Sequence, residues 1–314
     1  MEAIKGLENF PSLSQNTIIT IGNFDGVHLG HQKILKFLVD EAKKNDLFSL
    51  VLTFSPHPEK ILGKSKIQMI QTVDQRLETI ENFGVSGVLV TPFDENFSNL
   101  SSRDFIQKIL IDTLQARGVV IGENFHFGKN REGDITTLQT LGSKMGLLVH
   151  EIPSVTRNGR TVSSSLIRSL LYEGKIEAAN SLLGRCYEVE GKVIKGEARG
   201  KALGFPTANI ETQNEIIPLG VFISEVSLNS QKYSSVTNAG YRPTFGQEEI
   251  QIESYIINFN KNLYGKRIIL RFIKKIRNEI RFKTTEELSL QIKKDLKEAL
   301  NYFKLKKNSS HSTA

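Results

Sequence analysis

Two histidines three residues apart, His28 and His31, close the segment Gly22-Asn23-Phe24-Asp25-Gly26-Val27-His28-Leu29-Gly30-His31. The segment leaves an apolar run and enters an amphipathic one, so it reads as a strand-to-helix turn. Glycines at 22, 26 and 30 let the backbone approach a ligand closely. The helix start beyond them offers free N–H groups at the positive end of a dipole. Residues at i and i+3 share a helix face, so both imidazoles can meet one phosphate. Such donors suit a reaction that builds negative charge on phosphate oxygens, because they stabilise the charge without acting as nucleophiles. The bland alternative is a pair of surface histidines near a helix start. With six His and 24 Gly in 314 residues, His-x-Gly-His arises by chance in about one such chain in a hundred.

A second constellation lies at Arg199-Gly200-Lys201-Ala202-Leu203-Gly204-Phe205-Pro206-Thr207-Ala208-Asn209-Ile210. It lacks the Gly-Lys-Ser/Thr frame of a Walker A loop. Gly204 permits close backbone approach and Pro206 fixes the chain before Thr207. Thr207 and Asn209 offer oxygen ligands that a hard Mg²⁺ accepts alongside phosphate oxygens. On spacing alone, a glycine-rich hairpin with Thr and Asn as turn formers is an equal reading. Three further groups stand alone weakly. His57 between two prolines can be a rigid surface turn, Asn124 a loop residue, and Ser163–Ser165 an N-cap cluster for the helix that carries Arg168.

These residues need elements to hold them. Apolar runs at Thr17–Gly22, Phe48–Phe54, Gly87–Phe93, Gly118–Gly122 and Leu147–Ile152 read as buried strands. Helical patterns over His31–Lys44, Asp74–Phe83 and Ser102–Ala116 alternate with them, the last opened by Ser101 and Asp104 in capping-box spacing. Strand–helix alternation predicts a Rossmann-like parallel sheet, with ligands at the C-terminal ends of its strands. The loops after Ile21 and Phe54 then share one rim. Two short helices, Leu166–Tyr172 and Ile176–Leu183, precede a change of pattern. Successive strands follow at Tyr187–Ile194, Gly220–Leu228, Tyr233–Thr237, Ile250–Phe259 and Lys266–Ile276, which predicts an antiparallel barrel or sandwich. A closing helix is capped by Thr284 and Glu287 and carries the apolar stripe Leu288, Ile292, Leu296 and Leu300. The last residues, from Lys306, read as disordered. The expected domains are 1–184 and 185–314.

Those motifs resemble a known family. Gly-x-Phe-Asp-Gly-Val-His-x-Gly-His is similar to the signature of adenylyl- and cytidylyltransferases. Its longer form resembles the FMN adenylyltransferase module of bacterial bifunctional riboflavin kinase/FAD synthetases. Thr53-Phe54-Ser55-Pro56-His57-Pro58, Gly122–Gly128 with Arg131 and Gly133, and Val162–Arg168 resemble later elements of that module, in order. Ser165 stands where the family has Thr. In the second half, Leu203–Asn209 resembles the ATP–Mg²⁺ motif of riboflavin kinases. Pro218–Phe222, Asn238–Thr244, Ile252–Phe259, Leu263-Tyr264-Gly265 and Ile276–Phe282 agree with it, the last as the flavin-side loop. Tyr255 and Asn258 depart from the His and Asp common in the family.

The resemblance implies a bifunctional enzyme that phosphorylates riboflavin to FMN and adenylylates FMN to FAD, with ATP as co-substrate, Mg²⁺ as cofactor and pyrophosphate as leaving group. It implies that His28 and His31 meet the ATP triphosphate, Arg168 the leaving pyrophosphate, and Glu253 the ribityl 5′-hydroxyl as a base. It assigns nucleotide or flavin contacts to Gly22, Phe24, Asp25, Gly30, Asn124, Ser164 and Ser165 in the first half. In the second half these are Gly204, Thr207, Asn209 and Arg277, with Thr207 and Asn209 also meeting the metal. Two alternatives stay open. One is a nucleotidyltransferase for phosphopantetheine or nicotinamide mononucleotide, which a kinase module argues against. The other is a flavin-binding regulator with a dead site and a basic tail on RNA.

Composition narrows the setting. The net charge of +7 favours anions, nucleotide phosphates or nucleic acid, but a solvated basic face with a basic tail is the commoner source of such a charge. No RNA-recognition run of aromatics is present, so no specific nucleic-acid partner is expected. A single cysteine, Cys186, forms neither an internal disulfide nor a zinc cluster. No apolar run reaches the roughly 18 residues of a membrane span. The opening residues lack the pattern of a secretory leader, and the expected setting is cytoplasmic, without a membrane partner. A monomer or weak homo-oligomer is expected.

Overall fold

In the first half, the central strands alternate their side chains between two faces and are buried on both, while the two that end the sheet are largely exposed or half-buried. The computed structural model describes residues 1–311 apart from 62, 64–65, 197–199, 201–203 and 245–246. It divides into two compact units, Met1–Ser164 and Ser165–Ala314. The two helices ahead of residue 185 cluster with the second unit.

The first unit is a six-stranded parallel sheet with helices on both faces. Its strands are β1 (Glu2–Lys5), β2 (Thr17–Ile21), β3 (Phe48–Phe54), β4 (Gly87–Thr91), β5 (Ala116–Gly122) and β6 (Leu148–Ile152), in the order β1-β4-β3-β2-β5-β6. Ile19, Leu50, Leu52 and Leu89 enter one core with Phe105 and Leu110. Ile18, Val51 and Val88 enter the other with Leu35, Leu38 and Ile80. The helices are α1 (Leu29–Lys44), α2 (Pro58–Ile61), α3 (Val73–Glu81), α4 (Glu95–Ser98), α5 (Ser102–Asp104) and α6 (Ile135–Lys144). Ser101 Oγ accepts from the Asp104 amide at 3.0 Å, so the predicted cap forms. The helix it opens ends at Thr113, and Phe105–Thr113 is a π-helix. A reciprocal capping box starts α3, with Gln75 N–H to Thr72 Oγ1 at 3.2 Å and Thr72 N–H to Gln75 Oε1 at 3.0 Å. A small hairpin, β7 (Thr156–Arg157) and β8 (Arg160–Thr161), follows the sheet.

The second unit opens with α7 (Ser164–Tyr172) and α8 (Ile176–Leu183). Asn180 of α8 donates to Phe272 O at 2.9 Å and accepts from the Tyr187 amide at 2.7 Å, tying the helix to two strands. Those strands belong to a closed antiparallel barrel of β9 (Tyr187–Ile194), β10 (Ala208–Thr212), β11 (Gly220–Leu228), β12 (Gln231–Thr244), β13 (Gln247–Ile256) and β14 (Arg267–Arg277). Alternate residues such as Val189, Phe222, Ile252, Leu270 and Phe272 fill its interior. Four hydroxyls share that interior. Ser224 Oγ lies 2.8 Å from Ser235 Oγ and 2.7 Å from Thr237 Oγ1, and Thr237 donates to Ser254 Oγ at 3.0 Å.

The final helix, α9 (Thr285–His311), begins where the cap predicts, with the Glu287 amide on Thr284 Oγ1 at 3.2 Å. Glu287 returns its carboxylate to the Lys283 amide, so the box is displaced by one residue. Two expectations change here. The helix continues through Lys306 to His311 where disorder was expected, and residues 312–314 lie outside the described residues. Leu300 is 51% exposed, while Ala299 and Asp295 turn inward instead, because a straight helix rotates the stripe away from a strict four-residue spacing. Among the described residues no helix is long and apolar enough to cross a membrane.

The hydroxyl quartet generates a test. Ser224→Ala removes a partner from both Ser235 and Thr237 in a dry interior, and the expected cost is about 1–3 kcal/mol. The midpoint of urea unfolding, followed by a probe in the barrel unit, measures it.

Candidate active sites

The sheet order reverses beside β2, with β3 on one side and β5 on the other. At such a switch point the loops diverge and leave a crevice. The loops after Ile21 and Gly122 border a cavity of about 230 Å³, faced by Gly22, His28, Gly30, His31, Gly122 and Asn124. His28 is the N-cap of α1, and its Nδ1 accepts from the His31 amide at 3.4 Å. In the neutral ring that acceptor role puts the proton on Nε2. The two imidazoles stack, with centroids 3.7 Å apart. A Cβ on Gly30 would lie 3.1 Å from His28 Cε1, so glycine leaves room for the ring.

The turn itself is strained and braced. Phe24 and Val27 have φ of 50° and 37°, a region that bulky and β-branched residues avoid. The Asp25 carboxylate, 1% exposed, accepts from the amides of Ile70 at 2.9 Å and Gln71 at 3.3 Å. Arg76, 2% exposed, donates to Asn23 O at 2.6 Å and Phe54 O at 3.1 Å. Thr53 Oγ1 also reaches Asn23 O, and Ser164 Oγ donates to Asp25 O at 2.8 Å. Burial pulls the Arg76 guanidinium below its ordinary range, and the charge of Asp25 works against that fall. Asp25, expected to contact a ligand, therefore has its carboxylate turned to the main chain. Phe24 does face the cavity and packs against His31, with centroids 4.9 Å apart.

A second cavity of about 320 Å³ shares Ile21, Gly22, Asn124 and Phe125 with the first. Phe54, Phe93, Phe97, Phe105, Phe125 and Phe127 line it, and their rings contact one another in series. Its polar side holds His57, His126 and Arg131. His57 Nδ1 accepts from the Glu59 amide at 3.2 Å, and its Nε2 lies 2.8 Å from Asn23 Nδ2. An apolar slot with polar groups at one side fits a planar aromatic ligand with a polar tail. Sequence patterning missed Phe93, Phe97 and Phe105. Their signal is a run of phenylalanines spaced through the loops and helix starts that follow β4. Ser165 and Arg168 stand on the first and second turns of α7.

The barrel carries its cavity of about 420 Å³ on its outer surface, between β10, β12 and β13 and the face of α9. Register places Asn209 opposite Glu253, and Glu253 opposite Asn238. Directly opposed residues share a face, so the three side chains form one polar row. Gln251, two residues before Glu253, donates its amide to Asn209 Oδ1. Thr207 lines the same cavity, and Gly204 occupies the turn before it with φ of 82°. Tyr255 meets Phe205 edge to face at 5.9 Å. Arg199, Lys201, Ala202 and Leu203 lie outside the described residues.

Arg277 also faces this cavity, but its guanidinium is paired. Nε lies 3.1 Å from both Asp295 oxygens and Nη2 lies 2.7 Å from Oδ2, while Gln291 donates to Oδ1 at 2.8 Å. Asp295 is 3% exposed. The sequence reading missed it, along with Gln251, and gave no role to Asn238 and Glu279, which lie inside segments it matched to the family and line this cavity. A carboxylate inside an apolar helical stripe is the signal for Asp295, because a buried charge demands a partner.

Comparison with known proteins follows the same division. Residues 10–166 match the FAD synthetase family and residues 183–303 the riboflavin kinase family. The chain is 38% identical to the bifunctional riboflavin kinase/FMN adenylyltransferase of Buchnera aphidicola from Schizaphis graminum, over 97% of its length and 100% of that protein. The Bacillus subtilis protein of the same name is 38% identical over 91% of this chain and 92% of its own. A crystal structure named as a macrolide-efflux protein from Streptococcus pneumoniae matches with a TM-score of 0.88 and 26% identity, covering 96% of this chain and 99% of that one. With both families matched in order and whole-length relatives of one kind, the chain belongs to the bifunctional riboflavin kinase/FMN adenylyltransferase family.

Proposed function

We propose that this chain phosphorylates riboflavin to FMN on its barrel and adenylylates FMN to FAD at the turn after β2, consuming ATP in both steps. The functional division falls at 1–184 and 185–314. The observation that carries the adenylylation is the pair of cavities that share Gly22 and Asn124, one faced by stacked histidines and glycines, the other by phenylalanines.

In that step the nucleotide takes the histidine cavity and the isoalloxazine ring takes the aromatic slot. A terminal phosphate oxygen of FMN attacks the α-phosphorus of ATP, the bond to the β-phosphate bridging oxygen breaks, and pyrophosphate leaves. Positioning and charge stabilisation carry such a displacement without a covalent enzyme intermediate. His28 and His31 donate to the triphosphate, and Gly22 and Gly30 let it approach the backbone. Arg168, with Ser164 and Ser165 at the start of its helix, meets the pyrophosphate. Asn124 sits at the shared wall, where the reacting phosphates meet. Phe24 supports His31, and Asp25 acts through the turn.

In the kinase step Glu253 accepts the ribityl 5′-hydroxyl proton as that oxygen attacks the γ-phosphorus, and ADP leaves. Thr207 and Asn209 would hold the triphosphate with its Mg²⁺, and Gly204 would give it access. Arg277, fixed by Asp295, forms the flavin-side wall. The oxygen donors that face this cavity, from Thr207, Asn209 and Glu253, suit a hard cation. When bound, Mg²⁺ supplies neutralisation of phosphate charge. The proposal includes a cytoplasmic location, a monomer or weak homo-oligomer, and no specific nucleic-acid partner.

The direct test follows purified protein with riboflavin, ATP and Mg²⁺ by chromatography. FMN first and FAD after it supports both steps. FMN without FAD, even with FMN added, would give the sheet unit to another acceptor. His31→Ala is expected to cut FAD formation at least about a hundredfold while FMN formation continues. Glu253→Ala is expected to cut FMN formation about a hundredfold or more and to spare FAD formation from added FMN. Arg76→Met leaves Asp25 without its counter-charge. It should lower the stability of the first unit by about 3 kcal/mol in denaturant titration and slow FAD formation with it.

A further inference from the structure

We propose that Arg131 binds the attacking phosphate of FMN in the adenylylation step, and that the loop between β5 and α6 is built to aim it there. The inference rests on the adenylylation reading above and deepens it. The loop has a closed neck. Phe127 and Gly133 exchange two main-chain hydrogen bonds, at 3.0 and 2.9 Å, which bring its ends together. Within it Gly128, Asn130 and Arg131 have φ of 74°, 54° and 61°. The left-handed region suits glycine and tolerates asparagine, but an arginine held there is strained, and such strain persists only where the surroundings impose it. Here they do. The Lys129 amide donates to Leu100 O at 2.7 Å and the Arg131 amide to Gly128 O at 3.0 Å. The Glu132 carboxylate accepts from the amide and the hydroxyl of Ser102, at 2.8 and 3.0 Å, at the start of α5. A Cβ on Gly128 would stand 2.9 Å from that same amide nitrogen, so the loop packs closely against it.

The guanidinium that this loop projects faces the aromatic cavity. The adjacent carboxylate, Glu132, is turned to Ser102 and not to Arg131. Arg131 Nη2 lies 3.4 Å from His126 Nδ1, and that nitrogen lies 3.1 Å from Asn124 O. A carbonyl only accepts, so the ring must carry its proton on Nδ1 to bond it, and Nδ1 then has no lone pair for Arg131. The guanidinium thus keeps its donors for a ligand. Asn124 belongs to the wall that the two cavities share. The phosphate of a flavin seated in the aromatic slot has to reach that wall to meet the α-phosphorus, and Arg131 stands one side chain away from it. The oxidised isoalloxazine ring is uncharged and the phosphate carries the charge of FMN. A cation beside a slot of phenylalanines therefore separates the phosphorylated flavin from riboflavin, and it offsets the repulsion between two anions that must meet.

Initial rates of FAD formation by the full chain from added FMN and ATP test this role. Arg131→Met removes the charge and keeps much of the bulk. Its kcat/KM for FMN is expected to fall about tenfold or more, with the KM for ATP within about twofold of the parent. Arg131→Lys keeps the charge and is expected to recover most of the loss. Arg131 is exposed, so the deficit of the Met variant should shrink as salt is raised to about 0.5 M. Parent-like kinetics for Arg131→Met would overturn the proposal. So would a Lys variant as poor as the Met variant, because a planar fork that reads ring carbonyls is not replaced by an ammonium. A deficit that salt leaves unchanged, or a KM for ATP that rises with that for FMN, overturns it as well, since Arg131 would then support the loop and not meet an anion. A parent chain that forms FMN but no FAD would instead overturn the adenylylation reading, and this inference with it.

Discussion

The first unit depends on a buried charge pair that holds a strained turn. Phe24 and Val27 sit at positive φ, and each such residue costs about 1–3 kcal/mol unless its surroundings impose it. Asp25 and Arg76 impose it. One collects main-chain amides from the segment ahead of α3, and the other donates to main-chain carbonyls at the ends of β2 and β3. Both are buried, so each charge is tolerable only while its partners are in place. The geometry of His28 and His31 follows from that brace, because His28 caps α1 only if the turn delivers it there. The sheet supplies the crevice, and the brace decides what lines it.

The barrel reaches an ordered site by a different route. No strained turn sets its polar row. Register does, by placing Asn209, Glu253 and Asn238 side by side on three strands. A slip of one residue would send all three to the other face, into an interior already filled by apolar side chains and four hydroxyls. The interior packing therefore fixes the exterior site. The Arg277–Asp295 pair does for α9 what register does for the strands, since a bidentate contact holds the helix face at one rotation over the cavity.

Much of this was legible in the residues. The strands β2 to β5 are apolar runs bounded by glycine or polar residues, and Phe48–Phe54 was delimited to the residue, whereas β6, expected to be buried, carries His150 and Glu151 and is largely exposed or half-buried. What escaped had weak or shared signals. The four residues of β1 are mostly exposed and carry no hydrophobic period. Ile135–Lys144 carries three threonines and a glycine, poor helix formers whose place is set by packing. The strand β10 was hidden inside a motif read for its ligands. His28, His31, Thr207, Asn209 and Glu253 were singled out because composition makes their spacing unusual or a family shares it. Gln251 and Arg76 were not, since their roles lie in contacts with residues distant in sequence, and one chain carries no trace of those contacts before it folds.

The two large sheets differ in one further respect. A closed barrel has no free edge, so a foreign strand finds no row of unpaired amides on it. The parallel sheet ends at β1 and β6. The first is four residues long and bears Glu2 and Lys5, while the second leaves Leu148 66% exposed. Short length and charge discourage strand addition at one margin, and the other is guarded less. Parallel strands also wait for their crossovers before they can pair, which keeps their edges open longer during folding. The hazard of edge-to-edge association thus concentrates along β6, at the margin of the sheet that builds the crevice.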